Sequence, residues 1–145
     1  MYNKVLLATD GSSNSMEAAK IANSWLEKGL VKEIAILNVA PFITSGYYDL
    51  TGDLYQAVQE QTKEAGEEIL KNTKELFLNQ DKVKTFFEFG SPIAERICRF
   101  AAEGGYELII IGSRGTNPVS GLLLGSVSAR VLHHSQCPVL VVKPS

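Results

Sequence analysis

Short apolar runs alternate along the chain with longer stretches in which apolar residues recur at helical spacing. Five of the runs are almost continuous in apolar character, as is typical of strands covered on both faces of a parallel sheet. They are Lys4–Thr9, Glu33–Val39, Val83–Phe89, Leu108–Ile111 and Pro138–Val142. Because a helical stretch separates each run from the next, the pattern predicts strand-helix units in series with a final strand.

The first two helices are predicted from caps, spacing and stop signals. Turn residues at positions 10–15 precede the first helix, Glu17 falls in its first turn, and Gly29 ends it. The second helix covers about residues 53–79, and outside its inner apolar stripe it is mostly Glu, Lys, Gln and Asn, which is typical of a solvated face. Its predicted inner stripe consists of Leu54, Val58, Ala65, Ile69 and Leu76.

The last two helices have clearer start and stop signals. Ser91 is the predicted N-cap of the third helix, with Pro92 at its first helical position. The pair Gly104-Gly105 stops that helix. The fourth helix is predicted from about Ser126 to Ser135.

This order of elements predicts an α/β fold, an open, parallel, five-stranded, doubly wound sheet with helices on both faces that is Rossmann-like. The length of 145 residues fits one domain, 1–145, with a substantial core. In such a sheet, ligands lie beyond the carboxyl ends of the strands, where the strand order reverses. The loops after the first, second and fourth strands are therefore the expected location of a site.

Composition narrows the possible partners. The net charge is −2 with acids and bases interspersed, so no basic face points to nucleic acid or to an acidic membrane. No apolar stretch is long enough to cross a bilayer, and the first apolar run is too short for a signal peptide. Cys98 and Cys137 lack C-x-x-C or metal-ligand spacing, so we expect buried thiols in a reducing cytoplasm. His133 and His134 point in different directions on a helix, so they predict no shared metal.

The loop between the fourth strand and the fourth helix has the composition of an anion site. Gly112, Gly115 and Gly125 lack a β-carbon, so a ligand could approach their backbone closely. The first amides of the helix that begins at Ser126 have no internal partners and lie at the positive end of its dipole, where phosphate binds well. The alternative is structural: the glycines form a tight turn, and Ser126 is only an N-cap.

Asp10 follows the first strand and has two interpretations. Next to a triphosphate, its carboxylate would be repelled by roughly 1 kcal/mol per charge pair in water. If a nucleotide binds, Asp10 therefore belongs near the uncharged adenosine, where it accepts hydrogen bonds from ribose hydroxyls or adenine. Alternatively, Asp10 caps the first helix or its turn.

Four motifs together resemble the universal stress protein family. They are KVLLATDGS, the LNV of the second strand, the pattern G-x-x-G-x9-G-S from Gly112 to Ser126, and CPVLVVK. The resemblance spans the whole chain and keeps the order of elements. The glycine pattern is similar to that of the ATP-binding branch of the family.

The resemblance implies a site for ATP or another adenine nucleotide, with Mg²⁺ or Mn²⁺ bridging the phosphate oxygens. Asp10 would contact adenosine, the backbone of Val39 would read adenine, and the end of the fourth strand would line the ribose. Gly115, Gly125, Ser126 and Val127 would hold the phosphates, and Arg114 would either neutralise their charge or be solvated. The residues assigned to the nucleotide are Ala8, Thr9, Asp10, Val39, Ile111, Gly112, Arg114, Gly115, Gly125, Ser126, Val127 and Ser128.

The resemblance further implies a nucleotide-dependent regulator of the stress response that forms a homodimer through the last strand, Pro138–Val142. An apolar strand at a sheet edge tends to find a partner, although Lys143 and Pro144 could instead close this one. The glycine loop offers no carboxylate or histidine to orient a water, so we expect at most slow ATP hydrolysis. A slow ATPase and a nucleotide-free interaction domain stay open as alternatives. The segment 41–52 is the predicted cover of the site.

Overall fold

The computed structural model of the chain describes residues 1–43, 52–114 and 124–144. Within these ranges, five strands and four α-helices alternate in the predicted order. They are β1 (Tyr2–Ala8), α1 (Ser13–Glu27), β2 (Val31–Ala40), α2 (Gly52–Lys74), β3 (Val83–Phe89), α3 (Ile93–Gly104), β4 (Leu108–Gly112), α4 (Ser126–His134) and β5 (Val139–Val142), with a short 3₁₀ turn at Gln80–Lys82 before β3.

The five strands form one parallel sheet in the order β3-β2-β1-β4-β5. β1 lies at its centre, where Ala8 is paired with Leu37 of β2 on one side and with Ile111 of β4 on the other. After β1 the chain moves outward through β2 to β3 and then returns to place β4 on the opposite side of β1. The strand order therefore reverses between β1 and β4, and the predicted open, doubly wound α/β sheet is confirmed.

The core lies on both faces of the sheet. Val5 and Leu7 of β1 pack into one cluster with residues of α1 and α2, whereas Leu6 and Ala8 pack into a second cluster with residues of α3 and α4. Because consecutive residues of a strand point to opposite faces, β1 has to be apolar at each of these positions, which explains its continuous apolar run. Each buried Val or Leu stabilises the fold by about 1.5–3 kcal/mol relative to an exposed one.

The predicted inner stripe of α2 is wrong in part. Leu54 and Leu76 are 50 % and 36 % exposed, Ala65 is exposed as well, and α2 ends earlier than predicted. A β-carbon at Gly66 would clash with the ring of Phe87, so the helix approaches the sheet through a residue that has no side chain. The buried positions of α2 are Gly66, Leu70 and Thr73.

The predicted caps of two helices also differ from the structure. α1 begins at Ser13 with Ser12 as its N-cap, so Glu17 lies beyond the first turn. Pro92, not Ser91, is the N-cap of α3, and its backbone is extended, with φ −70° and ψ 150°. Ser91 does not cap the helix because its hydroxyl oxygen accepts a hydrogen bond from the Phe42 amide at 2.9 Å.

β3 and β5 are the two edges of the sheet, so the predicted edge position of the last strand is confirmed. No helix in the described ranges combines the length and the apolar character needed to cross a bilayer. Both cysteines are free, but they are half-buried rather than buried. Most of the segment 41–52, the predicted cover of the site, lies outside the described residues.

Candidate functional site

A cavity of about 310 Å³ opens at the carboxyl ends of β1, β2 and β4, where the strand order reverses. Its walls also include the start of α4 and one side of α3. Of the residues assigned from the sequence, Gly115 lies outside the described residues, and all the others line this cavity. These lining residues are Ala8, Thr9, Asp10, Val39, Ile111, Gly112, Arg114, Gly125, Ser126, Val127 and Ser128.

Four further residues line the cavity and were not assigned from the sequence: Ser15, Leu37, Ile93 and Ile97. Three of these four residues could have been found from their spacing in the sequence. Leu37 stands two positions before Val39 on a strand, so both side chains lie on the same face. Ile93 and Ile97 are four residues apart on α3 and share one helix face. Periodicity identifies such residues as core, and only the topology places them beside a ligand cavity.

The start of α4 presents to the cavity backbone amides that have no hydrogen-bond partner among the described residues. Gly125 is its N-cap, with φ −75° and ψ 171°, and offers no side chain that could bond to the first turn. The first intrahelical bond runs from the Ala129 amide to the Gly125 carbonyl at 3.0 Å. The amides of Ser126, Val127 and Ser128 therefore have no acceptor four residues back, and they lie at the positive end of the helix dipole.

Ser128 holds this helix start against the end of β4. Its side chain is buried, and its hydroxyl lies 2.8 Å from the Ser113 carbonyl and 3.2 Å from the Gly125 carbonyl. The Gly125 amide donates to the same Ser113 carbonyl at 2.6 Å. The Ser128 hydroxyl is thus occupied by backbone partners, and its contribution to the cavity is to position the amides rather than to contact a ligand.

Gly112 has a packing reason to be a glycine in addition to the predicted one. The sequence suggested that the missing β-carbon leaves room for a ligand. A β-carbon at Gly112 would also lie 3.1 Å from Cγ and Oδ1 of Asn14 and 3.2 Å from the Asn14 backbone carbon. Gly112 therefore makes room for a buried side chain of α1, while the residue itself lines the cavity.

Asp10 fills the second of the two roles considered for it, the capping of the turn, and its position leaves the first role open. One carboxylate oxygen accepts a hydrogen bond from the Ser12 amide at 2.9 Å, which closes the turn between β1 and α1. That turn passes through Gly11, whose φ of +83° strongly favours glycine. Asp10 also lines the cavity and is exposed, so its carboxylate can accept hydrogen bonds from a ligand.

The backbone of Val39 lies on the side of β2 that faces β1, beyond the point where β1 ends. The Leu37 carbonyl accepts from the Thr9 amide at 3.0 Å, on the β1 side, whereas the Ala40 carbonyl accepts from the Gly90 amide, on the β3 side. Alternate residues of a parallel strand bond to the same neighbour, so Val39 faces the β1 side. Since β1 ends at Ala8, the peptide groups of Val39 have no strand partner there within the described chain.

Arg114 and Asp10 are the charged residues among those described as lining the cavity. The Nε atom of Arg114 is buried, and no hydrogen-bond partner for it exists among the described residues. An unpaired guanidinium nitrogen is costly to bury, and an anion would satisfy it. His133 and His134 lie in the last turn of α4, at the opposite end of the helix from these amides.

Comparison with known proteins gives a consistent result along the whole chain. Residues 1–143 match the universal stress protein family. The chain is 36 % identical over 150 aligned residues to the universal stress protein YxiE of Bacillus subtilis, a match that covers 99 % of this chain and 100 % of that relative. The solved structure of hypothetical protein MJ0577 superposes with a TM-score of 0.76 at 33 % identity, over 100 % of this chain and 98 % of that chain.

Two more distant structures share the fold and contain adenine nucleotides. A universal stress protein in complex with cAMP has a TM-score of 0.72 at 22 % identity and covers 99 % of both chains. A family member from Arabidopsis thaliana with AMP bound has a TM-score of 0.67 at 19 % identity, over 99 % of this chain and 92 % of that chain. The family match along residues 1–143 and the full-length relative show that the chain belongs to the universal stress protein family.

Proposed function

We propose that this chain binds ATP or another adenine nucleotide in the cavity between β1 and β4 and acts as a nucleotide-dependent regulator of a stress response. The observation that carries the proposal is the start of α4, where no described side chain caps the helix and the amides face a cavity that is otherwise largely apolar. Backbone amides at a helix N-terminus bind phosphate, and apolar walls suit a purine. Family members that contain cAMP and AMP support an adenine nucleotide as the ligand.

The two ends of the nucleotide are assigned by charge. The phosphates belong at Ser126 and Val127, beside the Arg114 guanidinium. The adenosine belongs against the apolar walls, with adenine at the unpaired backbone of Val39 and the ribose hydroxyls near Asp10. The opposite orientation would place a triphosphate against the one carboxylate that the described residues bring to the cavity.

Mg²⁺ or Mn²⁺ fits this site as an ion held by phosphate oxygens. Within the described residues, no three His, Cys, Asp or Glu side chains are grouped to hold a metal. Mg²⁺ usually keeps several of its waters and rarely needs a cage made only of protein groups, so phosphate oxygens and water can complete its coordination here. Such an ion would reduce the charge repulsion between the phosphates, and the chain itself would supply the amides and Arg114.

We propose binding with at most slow hydrolysis. Phosphoryl transfer to water needs a group that orients the water or takes its proton. Asp10 lies at the adenosine end of the proposed arrangement, and the two histidines lie at the far end of α4. A slow ATPase is the second candidate, and phosphate release above the solvent background would favour it only if Ser126 variants abolish that release.

We further propose that the chain acts in the cytoplasm as a homodimer joined through β5. β5 is an edge strand, and its residues Val139, Leu140 and Val141 are only half-buried in the single chain. An apolar edge of this kind is stabilised by pairing with another strand. A sedimentation experiment that gives the mass of a monomer at micromolar concentration would contradict this part of the proposal.

The experiment that tests the nucleotide site is a pair of substitutions at Ser126. Ser126→Asp adds a negative charge where the phosphates are proposed to lie, and the same charge stabilises the helix through its dipole. Ser126→Asn is the matched neutral control. We expect Ser126→Asp to weaken ATP binding at least roughly tenfold, measured by calorimetry, without lowering the melting temperature.

Equal ATP affinity in Ser126→Asp and Ser126→Asn would contradict the phosphate position. Failure of the wild-type protein to bind any adenine nucleotide would contradict the function itself. Mass spectrometry of small molecules released from freshly purified protein by denaturation identifies the physiological ligand.

A further inference from the structure

Asn14, the second residue of α1, connects three elements that are far apart in the sequence. Its side-chain Oδ1 accepts a hydrogen bond from the Arg114 amide at 2.7 Å and lies 3.3 Å from the Ser113 hydroxyl. Its Nδ2 donates to the carbonyl of Val142, the last residue of β5, at 3.1 Å. The Asn14 side chain thus bonds to the start of the glycine loop and to the end of the edge strand.

This network is buried, and the asparagine fits it in one orientation. Asn14 is 6 % exposed and Ser113 is fully buried. The Arg114 amide is only a donor and the Val142 carbonyl is only an acceptor, so rotating the side-chain amide by half a turn would break both bonds. The Ser113 amide also donates to the Val142 carbonyl, at 2.8 Å, which joins the loop directly to β5.

The same contacts fix the direction in which the chain leaves β4. Gly112 allows Asn14 to approach, and the Asn14 Oδ1 then accepts a hydrogen bond from the backbone amide of Arg114. Ser113 in turn holds Gly125 and Ser128 at the start of α4. The position of the α4 amides therefore depends on a side chain that is absent from the cavity lining.

We propose that Asn14 is a positioning residue that joins the phosphate end of the cavity and the end of β5 in one hydrogen-bonded unit. Nucleotide binding in the cavity then changes the structure at the end of β5. The inference rests on the proposed function, because it concerns the regulation of that same site. A nucleotide that shifts the start of α4 shifts Ser113, and Ser113 and Asn14 share the Val142 carbonyl. The end of β5 is then the part of the surface that differs between the nucleotide-bound and the nucleotide-free protein.

The test is an ATP titration of ¹⁵N-labelled protein followed by amide resonances. In the wild type we expect the amides of Ser126 and Val127 to shift on binding, together with those of Val142 and Lys143. In Asn14→Ala we expect roughly tenfold weaker binding, and at saturation the response at Val142 and Lys143 should be largely lost. Without nucleotide, the Arg114 amide should exchange its hydrogen faster in this variant.

Asn23→Ala is the matched control, since Asn23 also lies on α1 and its Oδ1 also accepts a loop amide, that of Leu78 at 3.2 Å. It should lower stability without changing the ATP affinity or the response at β5. If Asn14→Ala does not fold, Asn14→Ser, which keeps a polar group at the position, replaces it.

The outcomes separate the two proposals. If ATP shifts Ser126 and Val127 in the wild type but leaves Val142 and Lys143 unchanged, the link to β5 is wrong and the nucleotide site stands. If Asn14→Ala behaves like Asn23→Ala in affinity and in both sets of resonances, Asn14 is merely structural. If ATP shifts none of these amides while Arg114 exchange still rises in Asn14→Ala, the proposed function fails and only the positioning of the loop remains.

Discussion

Gly112→Ala tests why this part of the glycine pattern is glycine. The new β-carbon would lie 3.1 Å from Cγ and Oδ1 of Asn14, closer than ordinary van der Waals contact. Asn14 cannot yield by rotating its side chain alone, because its own backbone carbon lies 3.2 Å from the same point. Either α1 shifts away from β4, or the Asn14 amide loses its hydrogen bonds to the loop and to β5.

Both responses cost stability. Inserting a methyl group into a well-packed region costs about 1–3 kcal/mol, and each buried hydrogen bond contributes about 1 kcal/mol. We therefore expect Gly112→Ala to lower the free energy of unfolding by roughly 2 kcal/mol. With an m value of roughly 2 kcal/mol per molar urea, the midpoint of urea unfolding should fall by roughly 1 M.

The assay is urea unfolding of the nucleotide-free protein, followed by circular dichroism. Gly52→Ala is the control, because no atom of the described residues lies within 4 Å of its β-carbon position at the start of α2, and it should not be destabilising. If Gly112 were glycine only to admit a ligand, alanine would leave the midpoint unchanged and reduce nucleotide affinity alone. That result would refute the packing explanation.

Two further predictions concern the start and the middle of α4. Ser128→Ala removes the buried hydrogen bond from the Ser128 hydroxyl to the Ser113 carbonyl, which keeps its bond from the Gly125 amide. The loss should cost about 1 kcal/mol of stability, measured by calorimetry as a melting temperature lower by roughly 2–4 °C. An unchanged melting temperature would contradict the positioning role of Ser128. The hydrogen bond from Arg130, in the middle of α4, holds the pKa of the Glu95 carboxyl below its usual value. Because this pKa is lowered in the folded state, the stabilisation is present at neutral pH and is lost as the pH falls through the folded-state pKa. The wild-type protein should therefore be more stable than Glu95→Gln at neutral pH and equally stable in strong acid. A stability difference that does not change with pH would contradict the stabilising role of the Glu95 carboxylate.

The sequence predicts the strands well because a doubly covered parallel sheet requires apolar residues at consecutive positions. It predicts the cavity lining well because the carboxyl ends of neighbouring parallel strands meet at one edge. The inner face of α2 could not be predicted, since that helix approaches the sheet through Gly66, which carries no apolar side chain.

The reason for Gly112 was also hidden in the sequence. Its neighbour Asn14 lies about a hundred positions away along the chain, and an asparagine in the first turn of a helix is usually a solvated or capping residue. The sequence also predicts the wrong N-cap for α3, Ser91. Only the fold shows that the Ser91 hydroxyl oxygen accepts a hydrogen bond from the distant Phe42 amide. Contacts between distant segments decide such roles.

The most direct measurement is a crystal structure of the protein grown with saturating ATP and Mg²⁺. Nucleotide phosphate oxygens should lie within hydrogen-bonding distance of the Ser126 and Val127 amides, with adenine against the Val39 backbone. A cavity that stays empty at saturating ATP, or a nucleotide whose phosphates point away from α4, would contradict the proposal.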